Sequence, residues 1–219
     1  MNAAVDPRLL STLADLACQE PCATRLMFRV GVPLLTMPTA KLGPACREAG
    51  VDAHGLLATL DAMDHGTCVR WAVEPLAILM DHLLGVHQRH REQMTRIKGY
   101  LAQAAPVHPD ANSAAVIHLI QRLTEDLEEH MRKEETVLFP WLRSGRGRSA
   151  GAPVRVMMAD HAQVAAQLRE LGASLPLRAS ARHEASWRPL QAEIHTFSED
   201  LFEHVHLENH ILFPRALTD

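Results

Sequence analysis

Two stretches of the chain carry residue types and a spacing that can hold metal ions. His130-Met131-Arg132-Lys133-Glu134-Glu135-Thr136-Val137-Leu138-Phe139-Pro140 is echoed by His204-Val205-His206-Leu207-Glu208-Asn209-His210-Ile211-Leu212-Phe213-Pro214. In both, a His is followed by Glu four positions on and by Leu-Phe-Pro at the eighth to tenth, and the copies lie 74 residues apart. A repeat of this length points to a duplicated structural unit. Residues four apart on a helix share one face, about one turn apart. Each copy therefore presents an imidazole and a carboxylate side by side, as a pair of metal ligands.

The offset extends to other residues. His87 becomes His161, His130 becomes His204, Glu134 becomes Glu208, and Asp126 becomes Asp200. Each His and Glu of the set lies on a helical stripe shared with Leu, Met or Phe, so the stripes face a core. Glu is almost never fully buried without a partner, and metal ligation is one way in which buried charge is tolerated. His82, His118, His195, His206 and His210 project away from these stripes and are expected at the surface or in a second layer. His90 lies only about 60° from His87 and is ambiguous. Asp126, Asp160, Asp200 and His90 are expected behind the ligands, orienting an imidazole N–H or relaying protons.

Four imidazoles and two carboxylates suit a pair of ions more than a sulfur-rich structural zinc site. If each Glu bridges, each ion sees two imidazoles and two carboxylate oxygens, with positions left open. Such a mixed set inside a helical core is the style of non-haem di-iron or di-manganese centres. The expected cofactor is two iron ions in an oxo/carboxylate-bridged centre.

Four long amphipathic patterns must position these residues: about Val73–Ala104, Asn112–Phe139, Val154–Leu171 and Ala185–Phe213. Pro106 and Pro109 separate the first two, and the basic stretch from Gly145 to Pro153 separates the second from the third. The expectation is an all-α, up-down-up-down four-helix bundle over residues 71–219. Residues 1–70 read as a small helical domain, with a short helix near Leu9–Leu16, turns at Gly31, Pro33 and Pro38, and a helix over Ala45–Ala62. The stretch Met63-Asp64-His65-Gly66 stops that helix and opens a linker.

Composition narrows the function. The chain is 47% hydrophobic with a net charge of −4, which suits a soluble globular protein and argues against nucleic acid as a partner. The N-terminus has no signal-peptide pattern and no apolar run is long enough for a membrane span, so a cytoplasmic location is expected. Cys18, Cys22, Cys46 and Cys68 show no Cys-x-x-Cys pair and are expected to stay reduced.

The residues His87 to Gln93, His130 to Glu135, Met157 to His161, Asp200 to Asn209 and Leu212 to Ala216 resemble the hemerythrin-like di-iron proteins of the iron–sulfur cluster repair (RIC) family, which includes nitric-oxide-binding members from denitrifying bacteria. The likeness covers residues 72–219. It implies a hemerythrin-like bundle, with His87, His130, Glu134, His161, His204 and Glu208 as metal ligands. It also implies Glu134 and Glu208 as bridges, with His87 and His130 on one iron and His161 and His204 on the other. Residues from about Ala23 to Met63 resemble the family's N-terminal domain loosely. Where the repair proteins carry adjacent cysteines, this chain has Pro33-Leu34-Leu35-Thr36-Met37-Pro38.

That departure shifts the expectation toward a protein of the nitrosative stress response that binds nitric oxide at reduced iron and lowers its free concentration. Slow reduction of NO, with an unidentified electron donor, would extend that role. The alternative is iron donation for repair of damaged iron–sulfur clusters, with iron–sulfur proteins as partners. No catalytic residue is assigned, because binding or donation fits the site better than rapid turnover. Oxygen binding as a hemerythrin-type carrier or sensor ranks below both, because hemerythrins use more His.

Overall fold

The computed structural model describes residues 6–64, 68–104, 111–174 and 181–218, with side chains described except at 111–113 and 181–186. The predicted breakers Pro106 and Pro109, and His65 and Gly66 of the linker, lie outside the described residues. The chain forms two compact units. One comprises Met1–Leu79 with Phe202–Arg215, the other Met80–Leu201 with Ala216–Asp219.

Among its described residues the N-terminal stretch of the first unit holds four short helices, α1 (Leu13–Gln19), α2 (Ala23–Val30), α3 (Leu42–Ala49) and α4 (Ala53–Ala62). The single helix expected over Ala45–Ala62 is two helices. Gly50 takes φ 69°, a left-handed conformation that suits glycine and ends α3. Asp52 then restarts the chain by accepting the His54 N–H at the α4 N-terminus. Likewise the expected helix near Leu9–Leu16 is a 3-10 turn, Pro7–Leu10, followed by α1, whose Thr12 cap accepts from the Asp15 N–H. Leu13, Leu16, Met27, Leu34, Leu42, Cys46, Leu56, Leu57 and Leu60 build this unit's core, with Phe202 against it. Phe28 and Phe202 pack with ring centroids 5.3 Å apart, and Arg25 pairs with Glu203.

Cys22 and Cys68 are joined in a disulfide, which corrects the expectation that all four cysteines stay reduced. The fold brings their Cα atoms to 5.9 Å, within bridging reach. Nothing in a separation of 46 residues announces that approach. Cys18 and Cys46 remain thiols.

The second unit is built on the expected long helices: α5 (Leu76–Ala104), α6 (Ala111–Lys133), α8 (Gly151–Ser174) and α9 (Ala181–Leu207). They form the four-helix bundle. Leu83, Met94, Leu123, Leu127, Met157, Val164, Leu190 and Phe197 are among its buried residues. Two short helices, α7 (Phe139–Arg143) and α10 (Phe213–Thr218), follow the two motif copies.

Between α6 and α7, and again between α9 and α10, the helix widens into a π turn, at Glu134–Leu138 and Glu208–Leu212. The Phe139 N–H donates to Glu134 O and the Phe213 N–H to Glu208 O, five residues back in each case. Pro140 and Pro214 supply the reason. A proline lacks the N–H for the ordinary helical bond, and its ring presses on the carbonyl four residues earlier. A wider turn relieves that pressure. Such turns are common at functional sites, and each of these opens on a motif Glu.

Candidate metal centre

His87 projects from α5, His130 from the last turn of α6, Glu134 from the start of the first π turn and His161 from the middle of α8. All four are buried at 3% exposure or less. The His87 Nε2 lies 3.4 Å and the His130 Nε2 3.2 Å from the same oxygen of Glu134. The His161 Nε2 is 3.0 Å from the His130 Nε2. Three imidazoles thus turn the same nitrogen inward around one carboxylate. In the second copy, the His204 Nε2 lies 3.0 Å from Glu208, and both side chains are fully buried.

Ligand atoms of His87, Glu134, His204 and Glu208 lie within 4.8 Å of one another, and so do those of His130, Glu134, His161 and Glu208. Both glutamates occur in both sets, as bridges would. The histidines sort differently from the pairing that the family resemblance implied. His130 goes with His161, and His87 with His204.

The outward nitrogens of His87 and His130 face carboxylates of their own. The His87 Nδ1–H donates to Glu135 at 3.0 Å, and Arg91 holds both oxygens of Glu135. Burial alone would raise the Glu135 carboxyl, but the hydrogen bonds from Arg91 and His87 outweigh it and hold the group below the usual carboxylate range. The His130 Nδ1 faces Asp160 at 3.6 Å, and Lys133 pairs with the same Asp160 oxygen. Since an ionised Glu135 can only accept, the His87 proton sits on Nδ1, and Nε2 offers a lone pair toward Glu134. Two lone-pair atoms facing each other in a dry interior call for a cation between them. The residues therefore fit a metal centre, and an outer carboxylate on a ligating imidazole is the usual support for one.

His90 belongs to a neighbouring chain of polar contacts. Its Nδ1–H donates to Gln93, Gln93 donates to Asp200 at 2.7 Å, and Arg89 also donates to Asp200. Burial lowers the His90 pKa to about 4 and keeps the ring neutral. Asp126 is turned to other partners: it accepts from Gln163 and Gln167 at 2.7 and 2.6 Å. The two aspartates are nonetheless equivalent. Gln93 and Gln167 are 74 residues apart, as are Arg89 and Gln163. Each Asp is thus clamped by the same two positions of an earlier or later helix. That repeat was visible in the sequence; Glu135 and Arg91 were not, because neither has a counterpart of the same type 74 residues on.

Of the histidines expected away from the site, His118 and His195 are exposed and His82 and His210 half-buried. His206 is instead buried, at 1% exposure. Residues 202–215, His206 among them, belong to the first unit.

The model of the hemerythrin HHE cation binding domain matches residues 78–216. The chain is 36% identical over 216 residues to the iron–sulfur cluster repair protein YtfE of Musicola paradisiaca, covering 94% of this chain and 96% of that one. It is 32% identical over 214 residues to the protein of the same name from Yersinia pseudotuberculosis, with the same shares covered.

Proposed function

The chain belongs to the hemerythrin HHE family, within its iron–sulfur cluster repair branch, and from that premise we propose that it is a cytoplasmic di-iron protein that supplies iron for repair of damaged iron–sulfur clusters. The observation that carries the proposal is the grouping of four imidazoles around two buried carboxylates. His87 and His204 would hold one ion and His130 and His161 the other, with Glu134 and Glu208 shared. Residues 71–219 would form the metal domain and residues 1–70 a separate N-terminal domain.

When bound, the iron pair supplies exchangeable ferrous ions and open coordination positions. The protein's part is to keep the donors in place without thiolates. Glu135 holds the His87 ring by its outer nitrogen, Asp160 faces the outer nitrogen of His130 at 3.6 Å, and Arg91 and Lys133 hold those carboxylates in turn. The inner donors are nitrogen and oxygen only, whereas a damaged cluster offers cysteine sulfur. Soft thiolates on the recipient favour transfer out of this harder set.

Nitric oxide binding at the reduced centre ranks second. The absence of adjacent cysteines favours it, while the repair role in both relatives' names favours repair. Anaerobic incubation of the ferrous protein with an apo-ferredoxin separates the two readings. Repair predicts two irons per chain at the start and reconstitution of the ferredoxin chromophore. Retained iron with stoichiometric nitrosyl signals on NO titration would replace repair with NO binding, and failure to load iron would overturn both.

A further inference from the structure

We infer that the corner formed by α7, the 3-10 turn Gly147–Ser149 and the start of α8 is a docking surface for an acidic recipient protein. This rests on the repair reading. From Thr136 to Ala159 the sequence contains no Asp or Glu but has Arg143, Arg146, Arg148 and Arg155, in a chain whose net charge is −4. All four arginines are exposed. Arg143 pairs with Asp81, and Arg148 donates to the Thr218 carbonyl. Arg146 and Arg155 are left to present charge outward.

The corner is ordered before any partner arrives. The Arg146 guanidinium sits 5.1 Å over the Trp141 ring, and its Nε–H donates to Ser144. The Trp141 indole N–H donates to Ser149, whose hydroxyl donates to the Arg146 carbonyl. Trp and Arg are the residue types that most often anchor interfaces. Fixing them in advance reduces the entropy lost on association.

The location gives this surface its use. Trp141 lies seven residues beyond Glu134, and Arg155 six residues before His161. At about 1.5 Å per helical residue, both run about 10 Å from a ligand. A recipient seated here would bring its cysteines close to the ions it is to receive. Positive charge meeting an acidic protein raises the encounter rate and fixes its approach.

The test measures binding of the full-length, iron-loaded protein to the apo form of an acidic plant-type ferredoxin, alongside iron transfer. Docking predicts that affinity falls as salt rises, and that Arg146→Glu/Arg155→Glu weakens it by about tenfold or more. Trp141→Ala should weaken it without altering the salt dependence, and the exposed control Lys98→Glu should leave it unchanged. Iron content, measured in each variant, checks that the bundle is intact. The inference is overturned if the charge-reversed protein binds within twofold of wild type, or if the corner prefers a DNA duplex to the ferredoxin. Normal transfer by the charge-reversed protein at limiting ferredoxin would sink docking and leave repair standing. A wild type that binds by this surface but delivers no iron would sink repair alone.

Discussion

Glu135 is one covalent step from a proposed ligand yet does different work. It accepts the outer proton of His87 and is gripped by Arg91. Glu135→Gln keeps the shape but loses the charge. It is expected to weaken iron retention by about 10- to 100-fold, as outer-carboxylate changes do. Competition with a ferrous chelator reads this, and unchanged retention would show that the contact only packs the helices together. His206 poses a pH question instead. Burial, with His210 next to it, lowers its pKa to about 3, against the ordinary histidine value of 6.5. The unfolded chain therefore takes up the proton first. Stability is full above about pH 6.5 and falls as pH drops toward 3, by about 1.4 kcal/mol per pH unit. Urea midpoints measured from pH 7 to 5 should fall less steeply in His206→Leu than in wild type, and parallel slopes would contradict the burial argument.

At the level of the helices, the paired aspartate clamps separate a buried contact from an exposed one. Gln93 is 1% exposed and serves His90 and Asp200 at once. Gln93→Leu removes both bonds from buried groups and should cost about 1–3 kcal/mol. Gln163→Leu removes one exposed bond to Asp126 and should cost about 0.5 kcal/mol or less. Denaturant unfolding of the two variants makes the comparison, and equal losses would mean that the clamps share load evenly. The long helices and the inward histidines were legible beforehand because a 74-residue repeat and a helical period constrain the same positions. The π turns were not. A helical wheel assumes 100° per residue throughout, and only the Glu-to-Phe-Pro spacing hinted that one turn must widen. Asp126 was legible as the repeat partner of Asp200, and its two glutamine donors, Gln163 and Gln167, stand 74 residues on from Arg89 and Gln93.

For the molecule as a whole, the sequence separated an N-terminal helical part from a bundle, while the contacts also join residues 202–215 to the first of the two units. That assignment depends on side chains such as Phe202 and Glu203 meeting Phe28 and Arg25, contacts between distant residues that no local pattern encodes. The Cys22–Cys68 bridge was hidden for the same reason. It closes a 46-residue span and should contribute about 2–4 kcal/mol to the unit that contains it. A reductant, or Cys22→Ser, should lower the thermal midpoint to the same extent, and the reductant should do nothing further to Cys22→Ser. A midpoint indifferent to both would mean the bridge constrains nothing that unfolds. Iron is a second whole-chain variable: a ligand held only by the native state raises the midpoint with its concentration. Chelation should therefore lower it, and more so in wild type than in Glu208→Ala.

The two π turns also bear on ancestry. Each is a helix with one surplus residue, and the surplus stands at the same place in both copies, opening at Glu134 and at Glu208. Two separate insertions at one register need more events than a single insertion copied along with its surroundings. On the shorter history, the extra residue entered a lone helical hairpin before the gene segment doubled. Such a hairpin would own two imidazoles and one carboxylate, half of the present donors. It could have completed a centre only by meeting a second copy of itself, so the fused chain would keep as one molecule what began as a pair.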